Sequence, residues 1–248
     1  MKKTLLILAA NVLLVSAIAA QGFGGFMDKA KGAVSSVTSN GGGGITQGDA
    51  ASAIKEALVN GIKTGVNKVS ATDGYFGNAD IKIPMPSEAK VVEDGLRSIG
   101  QGALVDKAIL QINRSAEQAA PQATQIFVNA ITQMNINDAI SIVNNQQQDA
   151  ATQFLKRTTT DQLVSVFKPI IKKVLDETKT TQVWSEVMNV YNRIPFVSPV
   201  NTDLPDYVTH KALDGLFYMI AKEEAKVRKD PAGQASEIIR KVFGSVKK

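Results

Sequence analysis

Apolar residues recur at helical spacing along most of this chain. Ile54, Leu58, Ile62, Val66 and Val69 form one stripe, with Ala57, Gly61 and Gly65 beside it. Two glycines four residues apart cost helix propensity, so they predict close approach of a neighbouring helix. The pattern breaks at Thr72-Asp73-Gly74. Ile81-Lys82-Ile83 then alternates as an extended piece, and Pro84 and Pro86 exclude helix there. Ser87 is placed to cap a helix over 88–99, and helices follow over 103–119 and 121–134, Pro121 suiting the first turn of the second.

Asn135 or Asn137 caps a short helix through Val143. After the polar link at 144–149 the pattern predicts a short helix over 149–156 and a longer one starting at Thr158–Thr160. The longer one carries Leu163, Val166, Phe167, Ile170, Ile171, Val174 and Leu175 on one face, with Pro169 inside it as an expected kink. A helix over 181–193 holds Trp184, Val187, Met188 and Tyr191. Asp203 caps the next, with Pro205 in its first turn, and Asp230-Pro231 starts a last one. Almost nothing reads as strand. The expected fold is all-α, a single compact domain of about eight to ten helices over 48–248.

The first residues have another character. Lys2 and Lys3 precede an apolar run from Leu5 to Ala20, and Ala17-Ile18-Ala19 supplies the small residues a signal peptidase reads. This predicts a cleaved signal peptide over 1–19, too short for a membrane span, and a periplasmic destination. A Gly- and Ser-rich leader over 20–47, with a short helix near Phe26–Val37, precedes the domain. No other segment is apolar enough to span a bilayer. The chain has no cysteine, which excludes a lipid-modified cysteine, disulfides and thiolate chemistry. The formal charge of +5 falls by the two lysines of the signal, and the remaining lysines are scattered. A nucleic-acid binder concentrates its charge in a stripe, so none is expected as a partner.

Catalytic motifs are missing. There is one histidine, His210, and no G-x-S-x-G elbow, H-E-x-x-H or phosphate loop. Asp206, His210 and Asp214 fall four residues apart on one helical stripe. Asp206 and Asp214 are then ~12 Å apart along the axis, too far to share one ion. Asp203 and Asp206 are explained by capping, and His210 reads as a flanking histidine beside Leu213, Phe217 and Ile220. Glu224 and Arg228 make a modest surface pair. No metal and no cofactor is expected.

Four stretches, "GYFGNADIKIPMP" (74–86), "FVNAITQMNINDAISIV" (127–143), "AATQFLKRTTTDQL" to "FKPII" (150–171) and "DYVTHKALDGLFYMIAKEEAKVRKDPAG" (206–233), stand in one order. Together they resemble the bacterial DUF4197 family over about residues 48 to 244. The resemblance implies an exported helical protein and transfers no activity, cofactor or catalytic residue. That family commonly has an acidic residue where this chain has His210.

The reading is therefore a non-enzymatic binding module for a partner protein or an apolar small molecule. Its candidate contact residues are Tyr75, Phe76, Tyr207, His210 and Asp214, with core plugging as the bland alternative for the aromatics. The competing class is a carboxylate-dependent hydrolase, which needs a polar cleft with two converging acids; an apolar recess favours the binder.

Overall fold

The structure, a computed structural model, describes residues 47–229 except 146 and 198. The expected signal peptide, nearly all of the expected leader and the helix expected from Asp230-Pro231 lie outside the described residues. In order come α1 (Gln47–Ser70), α2 (Lys90–Ser98), α3 (Gly102–Ala119), α4 (Ala123–Gln133), α5 (Ile136–Asn144), α6 (Ala150–Glu177), α7 (Thr180–Tyr191) and α8 (Leu204–Lys229). Single 3-10 turns at Ser87–Ala89 and Ala120–Gln122 lead into α2 and α4. No strand occurs among the described residues, so the all-α class holds.

The three long helices α1, α6 and α8 make the frame, with α3 and α4 packed against α1 and α6. Their apolar stripes meet in one core that holds Ile62, Val66, Phe127, Leu163, Phe167, Ile171, Leu213 and Phe217. Phe127 and Phe217 meet edge to face at 5.7 Å, a favoured geometry for aromatic rings. A second, smaller cluster joins the start of α1 to α5 through Ile54, Ala57, Ala139 and Ile142. Gly65 does admit a helix: a Cβ there would lie 3.3 Å from Cγ1 of Ile220 on α8. Gly61 does not, since nothing lies within 4 Å of its would-be Cβ.

Three local expectations are corrected. The break near residue 157 is absent, and α6 runs unbroken from Ala150 through Pro169 to Glu177. Thr158, Thr159 and Thr160 turn their hydroxyls back onto the carbonyls of Phe154, Leu155 and Lys156, at 2.9, 2.6 and 2.5 Å. A threonine that bonds inside the helix does not end it. Ser87 does not cap, for its hydroxyl goes to Glu88 at 3.1 Å and α2 starts only at Lys90. Glu224 and Arg228 are no surface pair. Glu224 accepts the N–H groups of Ala151 and Thr152 at 2.9 and 2.8 Å, capping α6, while Arg228 binds it and the carbonyls of Ile142 and Asn145 at the end of α5.

Segment 71–86 crosses the core in extended and turn conformation with no strand partner. Its polar backbone is met by side chains of α3. Glu117 accepts the N–H groups of Tyr75 and Phe76 at 3.1 and 3.2 Å and is itself paired with Arg114 at 2.6 Å. Asn113 binds both the N–H and the carbonyl of Ile83. An unpaired buried backbone group is costly, so these contacts fix where the segment lies.

Candidate functional site

The stretch around His210 starts α8. Asp203 caps it, accepting the Asp206 N–H at 3.1 Å, and Pro205 sits in the first turn. Lys168 of α6 bridges Asp203 and Asp206 at 2.9 and 2.8 Å. His210 Nε2 lies 3.8 Å from Asp206 Oδ2, beyond hydrogen-bond distance, and its side chain is exposed. Asp214 is exposed one turn further on.

Tyr207, His210 and Asp214 line one open groove of about 1050 Å³ between α8 and segment 80–88. Tyr207 donates its hydroxyl to the Pro84 carbonyl at 3.1 Å. Burial, with the nearby Glu88 charge, pushes its pKa up to about 12. Two of the groove's four carboxylates are ion-paired, Asp80 with Lys222 at 2.8 Å and Asp206 with Lys168, while Glu88 and Asp214 are in no ion pair among the described residues. Among the described residues no group of three His, Asp or Glu is placed to hold a metal ion.

The other two predicted contact residues are elsewhere. Tyr75 is fully buried beneath the groove and donates its hydroxyl to the Ala212 carbonyl of α8 at 2.6 Å. Burial, helped by the charge of Glu117, pushes that phenol far above its ordinary pKa. Its ring fills the space over Gly215, whose would-be Cβ lies 2.8 Å from Tyr75 Cε1 and 3.1 Å from Ile81 Cβ. Phe76 is half-buried, with Lys82 Nζ 4.1 Å over its ring. Tyr75 is a core residue, and neither aromatic lines the groove.

A second recess has the opposite chemistry. Helices α2, α3 and α7 enclose a cleft of about 220 Å³ lined by Val92, Leu96, Leu104, Val183, Trp184 and Val187, with Ile112, Met188 and Leu204 below. Its polar lining is confined to Glu93, Lys107 and the Thr178–Thr180 turn. Helix α2 packs on α3 and buries none of its own residues. Trp184 is turned into the core, its indole N–H donating to the Asn201 carbonyl at 3.2 Å. The side of α7 bearing Val183, Val187 and Val190 is left to the cleft and the solvent. Seven of the nine exposed large apolar side chains among the described residues belong to these elements and their ends: Val91, Ile99, Leu104, Val183, Val190, Ile194 and Phe196.

A match to the family described as "Protein of unknown function (DUF4197)" spans residues 44–244. The chain belongs to the DUF4197 family. No curated protein and no solved structure matches it. In this DUF4197 chain the motif over 74–86 and the described part of the later one, from residue 206, are brought face to face by the Tyr75–Ala212, Tyr207–Pro84 and Ile81–Gly215 contacts. The cleft, by contrast, is made mainly by α2, α3 and α7, and Met85 is the one residue of the stretches that carried the resemblance in its lining.

Sequence reasoning about this DUF4197 chain missed the cleft. One signal was present: Val183, Val187, Val190 and Ile194 repeat at i, i+4, i+7 and i+11, beside the stripe of Trp184, Met188 and Tyr191. Two adjacent apolar stripes are more than one core-facing helix needs.

Proposed function

We propose that this protein is an exported, non-enzymatic helical binding module that takes an apolar small molecule between α2, α3 and α7. One observation carries the reading: an apolar cleft of about 220 Å³ whose lining includes the exposed side chains of Leu104 and Val183. That volume exceeds the ~150 Å³ apolar cavity that admits benzene and falls below the ~300 Å³ lower end of drug-sized sites. It suits a medium-length chain or a compact aromatic of two or three rings and is small for a sterol or a diacyl lipid. The hydrolase alternative is less well supported, because two of the polar groove's four acids, Asp80 and Asp206, are engaged by Lys222 and Lys168. No helix among the described residues is long and apolar enough to cross a membrane.

The test is a fluorescence titration of the full chain with N-phenyl-1-naphthylamine, a neutral apolar probe. Probe enhancement is expected, and Ala108→Phe, which puts a ring into the cleft, removes it. Enhancement unchanged by Ala108→Phe overturns the reading. Export is tested separately by sequencing the mature N terminus in the cells that make the protein. Ala20 or Gln21 is expected, and an intact Met1 in a cytoplasmic pool sinks that part.

A further inference from the structure

Two lysines stand on the rim of this cleft without an acid to match them. Lys107 of α3 and Lys179, the residue before α7, both line it, and neither is ion-paired among the described residues. The acid on the same lining, Glu93, is already engaged by Arg97 Nε at 3.0 Å, and Arg97 also holds Asp106 at 2.8 Å. Lys179 has a φ of 59°, in the left-handed region where glycine or asparagine is the less costly choice. That conformation is the ordinary stop of α6, and it leaves the Lys179 side chain exposed on the cleft lining before α7 begins.

We infer that the ligand is an amphiphile with a medium-length apolar chain and an anionic head, such as a carboxylate. The chain occupies the space among Leu96, Leu104, Val183 and Val187, and Lys107 and Lys179 meet the head at the rim. This rests on the cleft reading above and adds the sign of the head group. A neutral or cationic head gains nothing from two ammonium groups, and a cationic one is repelled by them.

Displacement of bound N-phenyl-1-naphthylamine from the full chain by octanoate, octanol and octylamine tests it. Octanoate is expected to compete best and octylamine worst, with the preference shrinking as salt rises. Lys107→Gln combined with Lys179→Gln weakens octanoate roughly tenfold, the scale of two exposed ion pairs, and leaves octanol within about twofold. Circular dichroism verifies that the double variant keeps its helix. If octanoate and octanol compete equally and the double variant changes neither, the inference falls while the cleft reading stands. If octylamine competes best, the inference is reversed. If the probe is indifferent to Ala108→Phe, both fall together.

Discussion

Asn113 does for Ile83 what a neighbouring strand would do. Its amide nitrogen donates to the Ile83 carbonyl and its oxygen accepts the Ile83 N–H, each at 2.8 Å, and both residues are buried. Asn192 treats Val200 the same way, at 2.9 and 2.8 Å. An all-helical protein thus holds two extended segments in place with side-chain amides.

Asn113→Leu removes both partners from Ile83 without leaving a large void. Stability should fall by about 2–5 kcal/mol, the cost of stranding two buried backbone groups. Urea unfolding followed by circular dichroism measures it; a loss near zero would show that water replaces the amide. Asn192→Leu, at a half-buried site, should cost less.

Two glycine substitutions should act in opposite directions. Ala at Gly215 gains about 1 kcal/mol of helix propensity. Against this, its Cβ would sit 2.8 Å from the ring of Tyr75, which is pinned by its bond to Ala212. Overpacking of ~1–3 kcal/mol wins, so Gly215→Ala is destabilising. Gly61→Ala meets nothing within 4 Å and should raise stability by ~0.5–1 kcal/mol. Thermal melts of the two variants beside the parent decide both signs.

His210→Gln should cost no more than about 1 kcal/mol and leave probe binding unchanged, since the imidazole is exposed and makes no hydrogen bond to Asp206. Leu213→Ala and Phe217→Ala, on the buried side of the same helix, should cost ~2–5 kcal/mol through the cavity rule. A probe affinity that moves with His210→Gln would return the groove to consideration.

Acid should weaken the fold through Glu223 and Asp203. Burial alone would raise the Glu223 pKa, but Lys226 and Lys68, at 2.8 and 2.7 Å, outweigh it and hold the carboxyl below its ordinary 4.5. Burial works upward on Asp203 too, and Lys168 with the Asp206 N–H brings it below 3.8. A folded pKa below the unfolded one gives stability that is whole above the ordinary carboxylate range and is lost as pH falls through it. Urea midpoints should therefore drop steadily below about pH 4.5, and Glu223→Gln should flatten that slope.

The class and most helix positions were legible because period-3.6 stripes and caps act locally. Asp203, Pro205 and Asn135 sit where the chain itself dictates, and Asn135 accepts the Asp138 N–H at 2.8 Å. What escaped depends on distant partners. Tyr75 read as a loop aromatic, but it is core because Gly215, 140 positions away in the chain, leaves room for its ring. Glu224 looked like one end of a surface pair until the start of α6, folded back against α8, used it as a cap. His210, Tyr207 and Asp214 do share a groove, as one helical stripe must. The cleft was not assembled because α7, with its second apolar stripe, comes far along the chain from the consecutive α2 and α3 that it faces.

Helix α2 is nine residues long and has no residue of its own in the core. In hydrogen-exchange terms its opening free energy should lie near the bottom of the range for the described helices, while α6 and α8 should exchange only when the whole core opens. One wall of the cleft should therefore be among the first parts of the described fold to open. Amides of 90–98 should exchange first in the free protein and slow when the cleft is filled, with those of α6 unchanged. A ligand here gains affinity by quieting a helix, so stiffening α2 by Gly95→Ala, where a Cβ meets nothing, should tighten binding with no new contact.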